Sequence, residues 1–221
     1  LNNHALFRIF AGQFFQKMAQ IPVTVYVEMT PNPNTMKFVA NKHLLMPGDA
    51  VEFTSKAEAK GYSPLAEALF DFPFVNTVFI TSNFVTIAKT DNVSWDFIAM
   101  ELREFVRNWV ADGKEILIMM PAAKPKETVS EDGATKQPLK SFDATEFDDP
   151  IRALLDEYVR PAVEGDGGAI DFVGFEDGVV TVALRGSCSG CPSSTATLKG
   201  GIENLLKQHL PEVKEVVAES L

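Results

Sequence analysis

The chain has 221 residues, 46% hydrophobic and 23% charged, a balance that fits a folded protein and excludes wholesale disorder. Its formal net charge of −10 excludes a uniformly basic nucleic-acid surface, because phosphate binding rests on clustered Lys and Arg. Two cysteines, Cys188 and Cys191, exclude a disulfide framework and leave redox or metal chemistry at one place.

Residues 1–20 contain no acid, with Arg8 and Lys17 among apolar residues such as Phe7, Phe10 and Phe14. An acid-poor amphipathic start suits an organelle transit peptide, although Arg and Ser are sparse. The segment reads equally as the remnant of a leader or as a frayed terminus. The longest uncharged run, Phe72 to Ala88, is broken by Pro73, Asn76, Ser82 and Asn83, so no membrane-spanning helix is expected.

From residue 21 to about 120 the pattern alternates between strands and helices. Val23 to Met29 is rich in β-branched residues and alternates, which predicts a strand. Thr30-Pro-Asn-Pro-Asn34 predicts a turn, since Pro fixes φ and Asn tolerates tight bends. Met36 to Ala40 reads as the returning strand. Ser63 and Pro64 predict a helix start, as cap and first helical residue. Val75 to Thr81 and Phe84 to Thr90 predict a hairpin around Ser82-Asn83. A helix is expected from Ser94 to Ala111, with Phe97, Ile98, Glu101, Leu102, Phe105 and Trp109 along its inward stripe. Ile116 to Met120 reads as a closing strand.

Residues 121–147 lack apolar periodicity and are biased to Pro, Lys, Glu and Gly, which predicts a flexible linker. The charge changes at the same place. Residues 1–120 carry 12 acids and 10 bases, whereas 121–221 carry 18 acids and 10 bases. A domain boundary is placed there.

Residues 148–221 read as an α-β-β-α-β unit. Asp149 and Pro150 predict a helix start, and Pro161 its end or a kink. Gly165-Asp-Gly-Gly168 is a turn. Ala169 to Phe175 and Val179 to Leu184 form a hairpin around Asp177-Gly178. A helix follows Pro192 and stops before Pro211, and Val213 to Ala218 supplies a third strand. The expected fold class is therefore α+β, two small α/β domains joined by a flexible linker, with the Cys-x-x-Cys pair at a strand-to-helix loop.

Pro192 suits the first helical position, which makes Cys191 the helix cap. The positive end of the helix dipole and nearby Arg185 then favour thiolates, the species that bind metal or attack disulfides. Three chemistries fit. A dithiol redox site shares the thioredoxin spacing, but the unit shows no βαβ start. A zinc site needs four ligands, and His209 stands about three or more helical turns from the thiols. An iron–sulfur cluster takes four thiolates as a rule, so two copies of the chain would complete it.

Gly186-Ser-Cys-Ser-Gly-Cys-Pro-Ser-Ser-Thr-Ala-Thr-Leu-Lys-Gly-Gly-Ile-Glu203, followed by Leu210-Pro-Glu-Val213, closely resembles the Nfu-type iron–sulfur scaffold proteins. Arg160-Pro-Ala-Val-Glu-Gly-Asp-Gly-Gly168 fits the same family. Thr30-Pro-Asn-Pro-Asn-Thr-Met-Lys-Phe38 resembles the start of the N-terminal domain of its mitochondrial members. The resemblance spans residues 21–120, as an N-terminal Nfu-type domain, and 148–221, as a C-terminal Nfu domain. It implies a non-enzymatic carrier of a labile [4Fe–4S] cluster in the mitochondrial matrix. Cys188 and Cys191 would be its ligands, with a second copy donating the other pair in a homo-oligomer. Upstream assembly proteins would be partners, and delivery would be to apo-proteins such as lipoyl synthase and respiratory enzymes. No nucleic acid, membrane insertion or catalytic residue is expected. A thioredoxin-like dithiol protein is the runner-up.

Overall fold

A computed structural model describes residues 22–121, 142–189 and 192–220. The readings on 1–20, on most of the linker and on Cys191 lie outside the described residues.

Strands β1 (Val25–Met29), β2 (Thr35–Ala40), β3 (Ala50–Phe53), β4 (Val75–Thr81) and β5 (Phe84–Lys89) form an antiparallel sheet in the order β1-β2-β5-β4-β3. Two tight turns fix its register. The Asn32 carbonyl accepts from the Thr35 N–H at 2.9 Å, and Ser82 turns the β4–β5 hairpin at φ 32°. Between β3 and β4 lie two short helices, α1 (Lys56–Ala59) and α2 (Pro64–Leu69). Ser63 caps α2 as expected, its Oγ accepting from Ala66 N–H at 3.1 Å. Neither β3 nor α1 carries a sequence pattern that separates it from the surrounding loop.

Helix α3 (Trp95–Ala111) packs on one face of this sheet. Ser94 caps it, as its side chain accepts from the Asp96 N–H. The inward face differs from the expected stripe. Ile98, Leu102, Val106 and Val110 are buried, whereas Phe97 is 81% exposed. Slim side chains spaced by four let the helix approach the sheet, and the bulkier rings stand to one side. Phe105 there stacks edge-on against Phe72, with centroids 5.2 Å apart.

The expected closing strand over 116–120 does not form. Its backbone is held by a helix corner instead of a strand, with Ser63 Oγ donating to Ile116 O at 2.6 Å and Ile118 N–H to Tyr62 O at 2.7 Å. Ile116 and Leu117 still pack on the core.

The second sheet contains β6 (Gly168–Glu176), β7 (Val179–Gly186) and β8 (Glu215–Ser220). β6 and β7 are antiparallel through a turn in which Asp177 and Gly178 both have positive φ, 53° and 89°. β8 runs parallel to β7 after the crossover through helix α6 (Pro192–His209).

The preceding helix begins at Asp148, one residue before the expected cap, and Phe147 precedes it without a side-chain cap. This α4 (Asp148–Leu154) continues through a π-helical turn (Leu155–Val159) into α5 (Arg160–Gly165). Pro161 therefore interrupts the bonding without ending the helix, and the wider turn absorbs its missing donor. Ile151, Leu155, Val159 and Val163 are all buried. In a pure α-helix, residues four apart drift by about 40° per step. The π turn takes up part of that drift and keeps all four on the sheet.

The five-stranded sheet is covered on both faces. Met36, Phe38 and Ala40 of β2 lie in the core with α3, while Val39 on the opposite side packs with Phe79, Phe84 and Ala169 of β6. All six residues of β2 are buried for this reason.

Candidate functional site

The loop after β7 begins at Gly186, whose φ of 69° suits glycine. A Cβ there would stand 2.7 Å from Gly167 O and 2.9 Å from the Phe79 ring. The turn at Asp166 and Gly167 holds the loop from its own domain. Ser187 N–H donates to Gly167 O at 3.2 Å, and Ser187 Oγ donates to Asp166 O. Ser189 closes a tight turn, its N–H donating to Gly186 O at 3.2 Å.

Cys188 sits inside this frame, 7% exposed. Its Sγ lies 3.8 Å from Ser187 Oγ and packs against Gly168, the first residue of β6. The two sequence segments that carried the C-terminal resemblance therefore touch. The glycines of the 165–168 run supply the space and the carbonyl that the cysteine loop uses.

The other side of the loop belongs to the first sheet. Gly186 N–H donates to Glu52 Oε1 at 3.1 Å, and Ser189 Oγ lies 3.4 Å from the same oxygen. Asn32 Nδ2 donates to Ser187 O at 3.3 Å. Thr86 Oγ1 donates to Gly167 O at 2.7 Å in a buried position, and Lys37 Nζ reaches Gly165 O at 3.2 Å. The Thr30–Asn34 segment forms the expected turn and also carries one of these contacts.

Arg185, expected to favour thiolates, has its own partners in the fold. Its guanidinium pairs with Asp171 and donates to Ala50 O at 3.0 Å. The charged group bonded to the loop is the Glu52 carboxylate. Sequence reasoning missed Glu52 and Thr86, since a lone Glu in a four-residue strand carries no signal of a partner 134 positions away.

His209 stands at the far end of α6 and stacks on Tyr158, with centroids 6.0 Å apart, as an edge residue. Among the described residues, no three of His, Cys, Asp and Glu gather in an arrangement that could hold a metal ion. Among them too, no helix is long and apolar enough to cross a membrane.

Residues 151–217 match the family model for the NifU-like domain, and residues 25–113 match that for the Nfu/NifU scaffold protein N terminus. The chain belongs to the Nfu-type scaffold family. Its relatives include NifU-like protein 4, mitochondrial, of Arabidopsis thaliana, 38% identical over 88% of this chain and 65% of that protein. The NFU1 iron–sulfur cluster scaffold homolog, mitochondrial, of Drosophila ananassae is 36% identical over 87% of this chain and 63% of its own length. This Nfu-type chain thus spans a little under two thirds of those relatives. A solution structure of a NifU-like protein from Saccharomyces cerevisiae aligns with 46% of this chain and 90% of its own, at 24% identity and a TM-score of 0.42.

Proposed function

We propose that this chain is a scaffold that receives an iron–sulfur cluster and passes it on. The observation that carries the reading is the thiol count. The chain has two cysteines, three positions apart between a strand and a helix, where a cluster takes four thiolates as a rule. Cys188 and Cys191 are half a site, and a second copy supplies the other half. The cargo is a [4Fe–4S] cluster bridging two protomers. A cluster at such an interface is bound for transfer. The chain acts as a carrier without catalysing a reaction, in the mitochondrial matrix, a placement supported by relatives whose names read mitochondrial. Its partners are upstream assembly proteins and apo-proteins such as lipoyl synthase and respiratory enzymes.

The cysteine loop opens the parallel β7-α6-β8 crossover, a setting the dithiol alternative shares, and it is the two matched family models that favour the scaffold. The test is anaerobic reconstitution with iron and sulfide, with metal content and mass measured together. The expected product holds about four irons per two chains. Cys188→Ser and Cys191→Ser each abolish it. A variant that keeps the cluster removes its cysteine from the ligand set, and a loaded monomer overturns the shared site.

A further inference from the structure

We infer that the outer face of the five-stranded sheet is a docking surface for the cysteine loop of the same chain, and that this seat must be vacated before the loop can serve a second chain. The inference rests on the proposed ligand role of Cys188. It adds a task for the N-terminal domain, which contains no cysteine.

The face is built for this occupant. Ala50, Glu52, Val39, Phe79, Phe84 and Thr86 line it, and alternate residues on the same strands point into the other core. Its apolar part covers Ala169, next to the glycine that packs on Cys188. Its polar part bonds the loop backbone just ahead of the cysteine, and beyond it Ser189 Oγ lies 3.4 Å from Glu52 Oε1. Gly186 N–H is held by Glu52, and Ser187 O by Asn32. Thr86 holds Gly167 O, the same carbonyl that receives the Ser187 N–H. Glycine at 167 and 186 permits the approach. Side chains there would meet Thr86 Oγ1 at 3.0 Å and Phe79 at 2.9 Å.

The consequence follows from geometry. A thiolate that binds a cluster shared with another chain has to face that chain. Cys188 is 7% exposed and turned against Gly168. The residues on either side of it are bonded to the first sheet, so the loop cannot swing outward while those bonds hold. The thiol is buried in the core of its own domain, the docked arrangement holds the loop that keeps it there in the empty protein, and the arrival of a second chain competes with the sheet for that loop.

The test reads the shield without iron or sulfide. In the full chain carrying Cys191→Ser, Cys188 is the single thiol, and its alkylation by iodoacetamide is timed under native conditions. Glu52→Ala and Thr86→Val each remove one hold on the loop region from a different strand. Each is expected to speed alkylation about fivefold or more, the factor that follows from losing one net hydrogen bond. Far-UV circular dichroism and the urea midpoint identify any variant that has unfolded. Thr86→Val, nearly isosteric, keeps the test usable if Glu52→Ala does not fold. Rates equal to that of the parent in folded variants overturn the inference. Because no cluster is present, this outcome is separate from a failed reconstitution, which bears on the ligand role.

Discussion

Gly168 and Cys188 share one space: a Cβ on Gly168 would stand 2.7 Å from Cys188 Sγ and 2.7 Å from Arg185 O. The backbone carbonyl cannot yield as a flexible side-chain tip does. Gly168→Ala is therefore expected to destabilise the chain by about 1–3 kcal/mol, the range for overpacking a filled site. Urea unfolding measures it. Gly165→Ala, with nothing within 4 Å of the new methyl, is the control. It should fall within ~1 kcal/mol of the parent, on the stabilising side.

Ser63 joins two parts of the first domain. Its Oγ caps α2 at Ala66 N–H and donates to Ile116 O, with the residue fully buried. Ser63→Ala removes the cap and leaves the Ile116 carbonyl without its donor. A loss of roughly 1–3 kcal/mol is expected. Amide exchange should show the change at Ala66 and around 116–118 first.

Glu203 ties α6 to β8. Its carboxylate accepts from Lys207 Nζ at 2.5 Å and from Val216 N–H at 3.2 Å. The hydrogen bond from Lys207, and then that from Val216, hold its pKa below the ordinary carboxylate value of 4.5. A depressed folded pKa contributes stability that is present above the unfolded value and lost as pH falls through the folded one. Glu203→Gln should thus be less stable than the parent at pH 7. The difference should shrink as pH drops below about 4.5. Urea midpoints at pH 7 and pH 3 check the sign, and an equal gap at both would refute it.

Gly200 and Gly201 lie inside α6, exposed, and an added Cβ would meet nothing within 4 Å at either. Glycine in a helix interior costs about 1 kcal/mol relative to alanine. Gly200→Ala and Gly201→Ala are each expected to raise the urea stability of the chain by up to that amount. A loss of stability in both would mean that the glycine conformations are required.

Much of the fold was legible because its signals are local. Asp177-Gly178 and Ser82-Asn83 mark turns through backbone preferences of two residues. Ser63-Pro64 and Ser94 mark helix starts by capping chemistry within one turn. β3 escaped because four residues with one charge do not make a period, and its strand character comes from pairing with β4. Phe97 falls on the predicted stripe yet stands exposed, because a hydrophobic stripe gives a helix face only to within about one residue's rotation. The strand expected at 116–120 had the right composition, but Ser63 and Tyr62 took up its backbone.

The two thiols and their spacing are a property of the chain alone, and with them the proposal that one copy holds half a cluster site. The linear sequence also carried the family, since both signature segments are contiguous. It did not reveal that those segments meet, or that Glu52 holds Gly186 across 134 positions. Arg185 shows the same limit. Its nearness to the cysteines in sequence suggested a field on the thiols, but Asp171 and Ala50 claim its guanidinium. Turns and caps depend on neighbours a few residues apart, which sequence orders directly. Contacts between sheets depend on how two cores stack, and only the folded chain sets that.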